Sequence, residues 1–184
     1  MDPSNVGRTV ARISSTLIDL HLLHHLTGGI VSSYYGVPRL TLDVDFSIQL
    51  PSGHRDLPAI GDALIGAFTI DIESARATLK SHGMFQALDN ETFIKVDFHA
   101  KQLVPGEMER SVVSEVFPGV IIPIASLEDC ILSKLIWWSM GSEKSWNDVV
   151  QVIKRRNDFS RTLLQSLADQ LDLSAELQRL LDES

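Results

Sequence analysis

Apolar residues recur three and four positions apart near the start of the chain. Val6, Val10, Ile13, Leu17 and Leu20 share one stripe, which predicts an amphipathic helix over about residues 6–23. The stretch from His24 to Thr27 reads either as the end of that helix or as a short strand. Past Gly28-Gly29, a short helical segment leads through Pro38-Arg39 into a different rhythm. Leu42, Val44, Phe46 and Ile48 alternate with polar positions, and the same period of two returns at residues 92–100, where Ile94, Val96 and Phe98 oppose Lys95, Asp97 and His99. Both stretches are predicted strands with one apolar and one polar face.

The remainder falls into place around them. Residues 51–56, PSGHRD, form a loop, and residues 57–68 and 73–81 carry helical spacing, the second ended by His82-Gly83. Asp89-Asn90-Glu91 separates strands at 84–88 and 92–100 as a hairpin, and short strands are expected at 110–116 and 120–124. From Ser126 the pattern is helical to the last residue. Ser126 and Asp129 have capping-box spacing, and the helix that follows, to about residue 140, lines Leu127, Cys130, Ile131, Leu135 and Trp138 along one face. Trp137 and Trp138 make it apolar almost all round, so burial against the sheet or at a subunit contact is expected. The next helix, 143–156, buries Trp146, Val149, Val150 and Ile153.

Within this pattern the chemistry concentrates on the polar faces of the two strands. Asp43 and Asp45, two apart, stand side by side and repel each other unless a cation neutralises them. Asp97 is in phase on the second strand. Three oxygen donors on adjoining strands are what magnesium (or manganese) requires, and the amides of Gly28 and Gly29, at the head of a helix, suit a phosphate. An EF-hand loop starting at Asp43 is excluded, because Ile48 stands where glycine is needed and His54 occupies the twelfth position. Lys134 sits in the middle of an apolar helix face, which is costly unless its ammonium reaches an anion or snorkels to water. Asp148 points away from the apolar stripe of its helix, leaving a solvated acid and an active-site acid both open.

Composition narrows the classes. The 184 residues suit one domain or an α/β core with a helical appendage, and 44% hydrophobic content builds a real core. No apolar run reaches the ~20 residues of a membrane span and the first ten residues lack a signal peptide's apolar stretch, so no membrane partner and a cytoplasmic location are expected. The single cysteine, Cys130, reads as a small core residue. His21, His24 and His25 lack partners at zinc spacing and read as structural or surface groups. A net charge of −8 disfavours broad capture of nucleic acid, and Lys154-Arg155-Arg156 reads as a solvated helix end.

Taken together, Gly28, Gly29, Gly36, Arg39, Thr41, Asp43, Asp45 and Asp97 resemble the nucleotidyltransferase superfamily with the DNA polymerase β-like fold, and within it the AbiEii-type proteins of bacterial toxin–antitoxin and phage-defence systems. The resemblance implies an α/β (α+β) fold, a nucleotidyltransferase-like mixed sheet flanked by helices, with residues 1–124 as catalytic core and 125–184 as a helical segment packed on it. It favours a strand at His24–Thr27. It implies an enzyme that moves a nucleoside monophosphate from an NTP, such as ATP, to an acceptor hydroxyl on an RNA end, a protein or a small molecule, with a protein partner possible. Asp43, Asp45 and Asp97 would be the catalytic and metal-binding carboxylates, with Gly28, Gly29, Ser32, Arg39 and Lys134 toward the nucleotide phosphates. The wider superfamily has Gly-Ser where this chain has Gly28-Gly29 followed by Ile30, so no serine contact to the phosphate is available there, and Ser145 replaces the first acid of a common Asp-x-x-Asp, leaving Asp148. The competing class is a non-catalytic nucleotide- or partner-binding protein on the same fold.

Overall fold

A computed structural model describes residues 3–39, 41 and 43–183. Leu42, assigned to an apolar strand face, lies outside the described residues. Helix α1 (Pro3–Asp19) buries the predicted stripe of Val6, Val10, Ile13 and Leu17. It stops short of residue 23: His21 takes a positive φ of 55°, and the turn it makes feeds strand β1 (His24–Thr27), which resolves the ambiguity of that stretch. Helix α2 (Gly28–Tyr35) follows without a spacer, and strand β2 (Asp43–Ile48) comes after it.

A 3-10 turn (Gly53–Asp56) opens helix α3 (Leu57–Leu64), shorter than its apolar spacing suggested because the chain turns at Gly66, φ 84°, into a two-residue strand β3 (Phe68–Thr69). Helix α4 (Ile72–His82) is capped by the Asp71 carboxylate, which accepts from Ser74 N–H, and ends at Gly83 in the left-handed region. Strands β4 (Met84–Asp89), β5 (Lys95–His99), β6 (Val112–Phe117) and β7 (Val120–Ile124) complete the sheet. Helices α5 (Leu127–Ser139), α6 (Glu143–Arg155), α7 (Arg161–Gln170) and α8 (Ser174–Asp182) close the chain.

The seven strands run in the order β3-β4-β5-β2-β1-β7-β6. β2 is parallel to β5 and β1 to β7, and the remaining pairs are antiparallel, so the sheet is mixed. The apolar residues of the alternating strands meet in register: Phe46 lies opposite Phe98 and Phe98 opposite Phe85, with ring centroids 6.4 and 4.8 Å apart. Such a stack fixes register strongly, because a slip of one residue would turn every phenylalanine to the polar face. A buried polar clamp also ties α1 to the β4–β5 turn. Asp89 accepts from Thr9 Oγ1, Arg12 and the backbone amides of Glu91 and Thr92, and these bonds hold its carboxyl below the usual range although burial pushes it upward.

Ser126 caps α5 as its spacing predicts, accepting from Asp129 N–H at 3.1 Å. The Asp129 side chain does not complete a reciprocal box with the backbone; it takes the Ser126 hydroxyl and the Arg110 guanidinium instead. His24 and His25 are buried structural groups, bonded to Ser14 and Leu22 and to Ser111, and burial pushes the His25 imidazole down to about 4. Cys130 is a core thiol that burial pushes up to about 12. Trp137 is 40% exposed, on the side of α5 that faces a cavity, so this part of the apolar helix is not covered by the sheet.

Candidate active site

The start of α2, the polar face of β2, and helices α5 and α6 enclose a cavity of about 200 Å³. At its base the β1–α2 junction requires glycine twice over. Gly28 has φ 68°, and a Cβ there would overlap the Asp45 carboxylate, with Cγ only 2.6 Å away. A Cβ on Gly29 would press on Thr41 Oγ1 at 2.8 Å. The first amides of α2 therefore lie directly against the acidic strand, where the positive end of the helix partly offsets its charge.

Parallel pairing of β2 with β5 sets Asp43 opposite Lys95, Asp45 opposite Asp97 and Ser47 opposite His99, all on one face. Lys95 Nζ lies 3.0 Å from Asp97 Oδ2 and 3.5 Å from Asp43 Oδ1, so a single positive centre already touches both carboxylates. His99 Nε2 is 3.3 Å from Asp45 Oδ1, and Gln86, reaching across from β4, donates to Asp97 Oδ1 at 2.9 Å. Asp43 and Asp45 line the cavity. Asp97 is only 8% exposed beside them, and burial, with smaller contributions from the charges of Asp45 and Asp43, raises its carboxyl above the ordinary value against the pull of Lys95. Among the described residues, no three carboxylate, histidine or thiol groups are already gathered at metal-binding spacing. The donor set nevertheless fits a hard divalent ion: the groups are carboxylate oxygens on adjacent strands, and an ammonium spans two of them.

The opposite wall is built on Asp148 of α6. Arg39 grips it through two bonds of 2.6 Å, Lys134 of α5 donates at 2.9 Å, and Ser32 of α2 donates at 3.3 Å while also bonding Gly29 O. Asp148 is buried, which would raise its carboxyl, but the Arg39 hydrogen bonds and the Lys134 charge outweigh burial and hold it below the usual range. Of the two readings open for this residue, the solvated acid is excluded. The anion that Lys134 needed is Asp148. Arg39 and Lys134 line the cavity, whereas Ser32 lies beneath it, aimed at Asp148 and Gly29.

Sequence reasoning did not single out several further residues of this cavity. Glu107 is buried at its edge, accepting from Ser47 Oγ at 2.7 Å and Val104 N–H at 3.1 Å, and burial raises its carboxyl. Lys101, Lys144 and the partly exposed Trp137 also border it. Ser47 continues the Asp43–Asp45 face and was legible; Glu107 lies in a loop whose path no periodicity reveals.

Known structures share this architecture. The solution structure of the antibiotic-resistance factor ANT(2'')-Ia superposes with a TM-score of 0.63 at 13% identity, covering all of both chains. An antigenic nucleotidyltransferase-like protein from Paracoccidioides brasiliensis gives 0.59 at 14% identity over all of this chain and 95% of that one. JHP933 from Helicobacter pylori gives 0.52 at 16% identity over all of this chain and 79% of that one. These likenesses establish the fold. No curated protein matches the chain by sequence. The family profile described as nucleotidyl transferase AbiEii toxin, type IV toxin–antitoxin system, matches residues 18–180, a span that takes in both the acidic strand pair and the Asp148 wall, and the chain belongs to that family of nucleotidyltransferases.

Proposed function

We propose that this cavity transfers a nucleoside monophosphate from an NTP to an acceptor hydroxyl with the help of Mg²⁺ or Mn²⁺. The observation that carries the reading is the register of β2 against β5, which sets Asp97 beside Asp45, puts Asp97 and Asp43 within reach of one cation, Lys95 Nζ, and leaves Asp45 against the Gly28-Gly29 helix start. Asp43 and Asp45, with Asp97, would hold the divalent ions, which when bound stabilise charge on the attacking and leaving oxygens. The acceptor oxygen bonds to the α-phosphorus, the bond from that phosphorus to the bridging oxygen breaks, and pyrophosphate leaves with the electron pair. Asp97, its carboxyl raised by burial, accepts the hydroxyl proton. The α2 amides at Gly28 and Gly29, with Arg39 and Lys134, receive the phosphates, and Ser32 acts from below by orienting Asp148. Residues 1–124 would supply the acidic strands and Arg39, and residues 125–184 would supply Lys134 and Asp148, so that both parts contribute to one site.

Family membership also implies an antitoxin partner. No helix among the described residues is long and apolar enough to cross a membrane, and we place the reaction in the cytoplasm, where NTPs and magnesium are abundant. An NTP at about 100 times its Kd adds roughly 2.7 kcal/mol to the folded state, which for this chain length raises Tm by about 5–10 °C. EDTA or the double change Asp43→Ala, Asp45→Ala should remove most of that rise. Asp97→Asn should keep it and stop transfer of labelled α-phosphate. A wild-type protein whose Tm ignores every NTP with either metal would overturn the reading.

A further inference from the structure

A second concavity, of about 590 Å³, opens where the parallel strands β2 and β5 end. Leu50, Leu79 and Ala100 give it apolar surface, and His54, Arg76, Lys80 and Lys101 stand around it. Among the described residues no aspartate or glutamate lines it, although the chain carries 24 acidic residues against 16 basic ones. Three of those 16 cations, Arg76, Lys80 and Lys101, therefore border a wall to which the described residues contribute no carboxylate. Arg76 makes one exposed ion pair, with Glu73 beside it on α4, and the ammonium groups of Lys80 and Lys101 have no hydrogen-bond or ion-pair partner among the described residues. Lys101 also borders the cavity that holds Asp43 and Asp45, and His99, which touches Asp45, directly precedes Ala100 of the second wall. The two concavities are thus neighbours across the end of β5, the carboxyl edge of parallel strands where open α/β sheets bind ligands.

We propose that this cleft is the acceptor subsite of the transfer reaction and takes a compact organic anion, a phosphate ester with an apolar or ring-shaped body. This rests on the nucleotidyltransferase reading above. The cations hold the anionic group, the apolar surface takes the body, and the acceptor hydroxyl is directed past Lys101 toward Asp45 and Asp97. The volume suits a molecule of drug or nucleotide size. A long polyanion is disfavoured, because the net charge of −8 repels whatever extends beyond the cleft.

The test uses the full chain with a non-hydrolysable NTP and magnesium saturating the first cavity, and phenyl phosphate as the probe, followed by amide chemical shifts. Saturable shifts are expected at Gly53, Gly83 and Ala100, with none from benzyl alcohol, which has the ring without the charge. The exposed double change Arg76→Glu, Lys80→Glu should weaken phenyl phosphate binding by about tenfold or more while leaving the NTP-induced rise in Tm unchanged. Absence of saturable shifts in the wild type, or equal binding by the double variant, overturns the assignment. A short oligoribonucleotide forms a second arm, and if it binds the cleft more tightly than phenyl phosphate the compact-ligand assignment fails. The NTP-induced Tm rise is read in the same samples. If it is missing while phenyl phosphate still binds, the cleft is an anion site and the transfer reading, with the acceptor role, is what falls.

Discussion

Two aspartates of this protein behave in opposite ways, and substitution should separate them. Asp148 is a buried carboxylate held below its ordinary range by Arg39 and Lys134, so the stability it contributes is present above the unfolded value near ~4 and is lost as pH falls through the lower folded value. Asp148→Asn leaves two cations facing each other without their anion. A loss of about 3 kcal/mol, or about 6–12 °C in Tm at neutral pH, is expected, and the gap to wild type should narrow on acidification. Asp97 lies on the other side of the balance. Burial raises its carboxyl, so its charged form costs stability once pH exceeds the unfolded value. Asp97→Asn should melt no lower than wild type at neutral pH while transfer activity vanishes, a trade of stability against function that thermal melts and labelled transfer would read together. The alternation of the strands made Asp43, Asp45 and Asp97 legible, because a period of two is a local property. Asp148 was not, since its role depends on how α6 docks against α2 and α5.

Among the elements, the β1–α2 junction is the least tolerant. A glycine helix start pressed against a carboxylate is a joint that admits no side chain, and Gly28→Ala must adopt φ near 68° and displace Asp45 as well. About 2–3 kcal/mol of destabilisation is expected, together with loss of the nucleotide-induced Tm rise. Gly66→Ala, at φ 84° with open space around it, serves as the control: it should show backbone strain alone and retain the rise. Element types were well marked by periodicity, punctuated by Gly83 and Ser126. Ends were less so. Helix α3 stopped at Leu64 because Gly66 turns the chain, while the apolar run through Phe68 masked that break by supplying a strand residue with the same hydrophobicity as the helix before it.

At the scale of the molecule, the site joins residues far apart in the chain: Asp148 meets Ser32 and Arg39 across 116 and 109 positions, and Lys134 comes from a third helix. Bound nucleotide should therefore slow amide hydrogen exchange in α5 and α6 as much as in α2, and protection confined to α2 and the strands would place the phosphates elsewhere. That separation also governs when the protein becomes able to act. A nascent chain that has just exposed both acidic strands has neither Lys134 nor Asp148, and at ordinary elongation rates the ribosome needs roughly three to ten seconds to travel from Asp97 to Asp148. During that interval the growing polypeptide carries its acids and Arg39 without the Lys134–Asp148 pair. The order of synthesis thus keeps the site unassembled until α6 has emerged to meet α2 and α5.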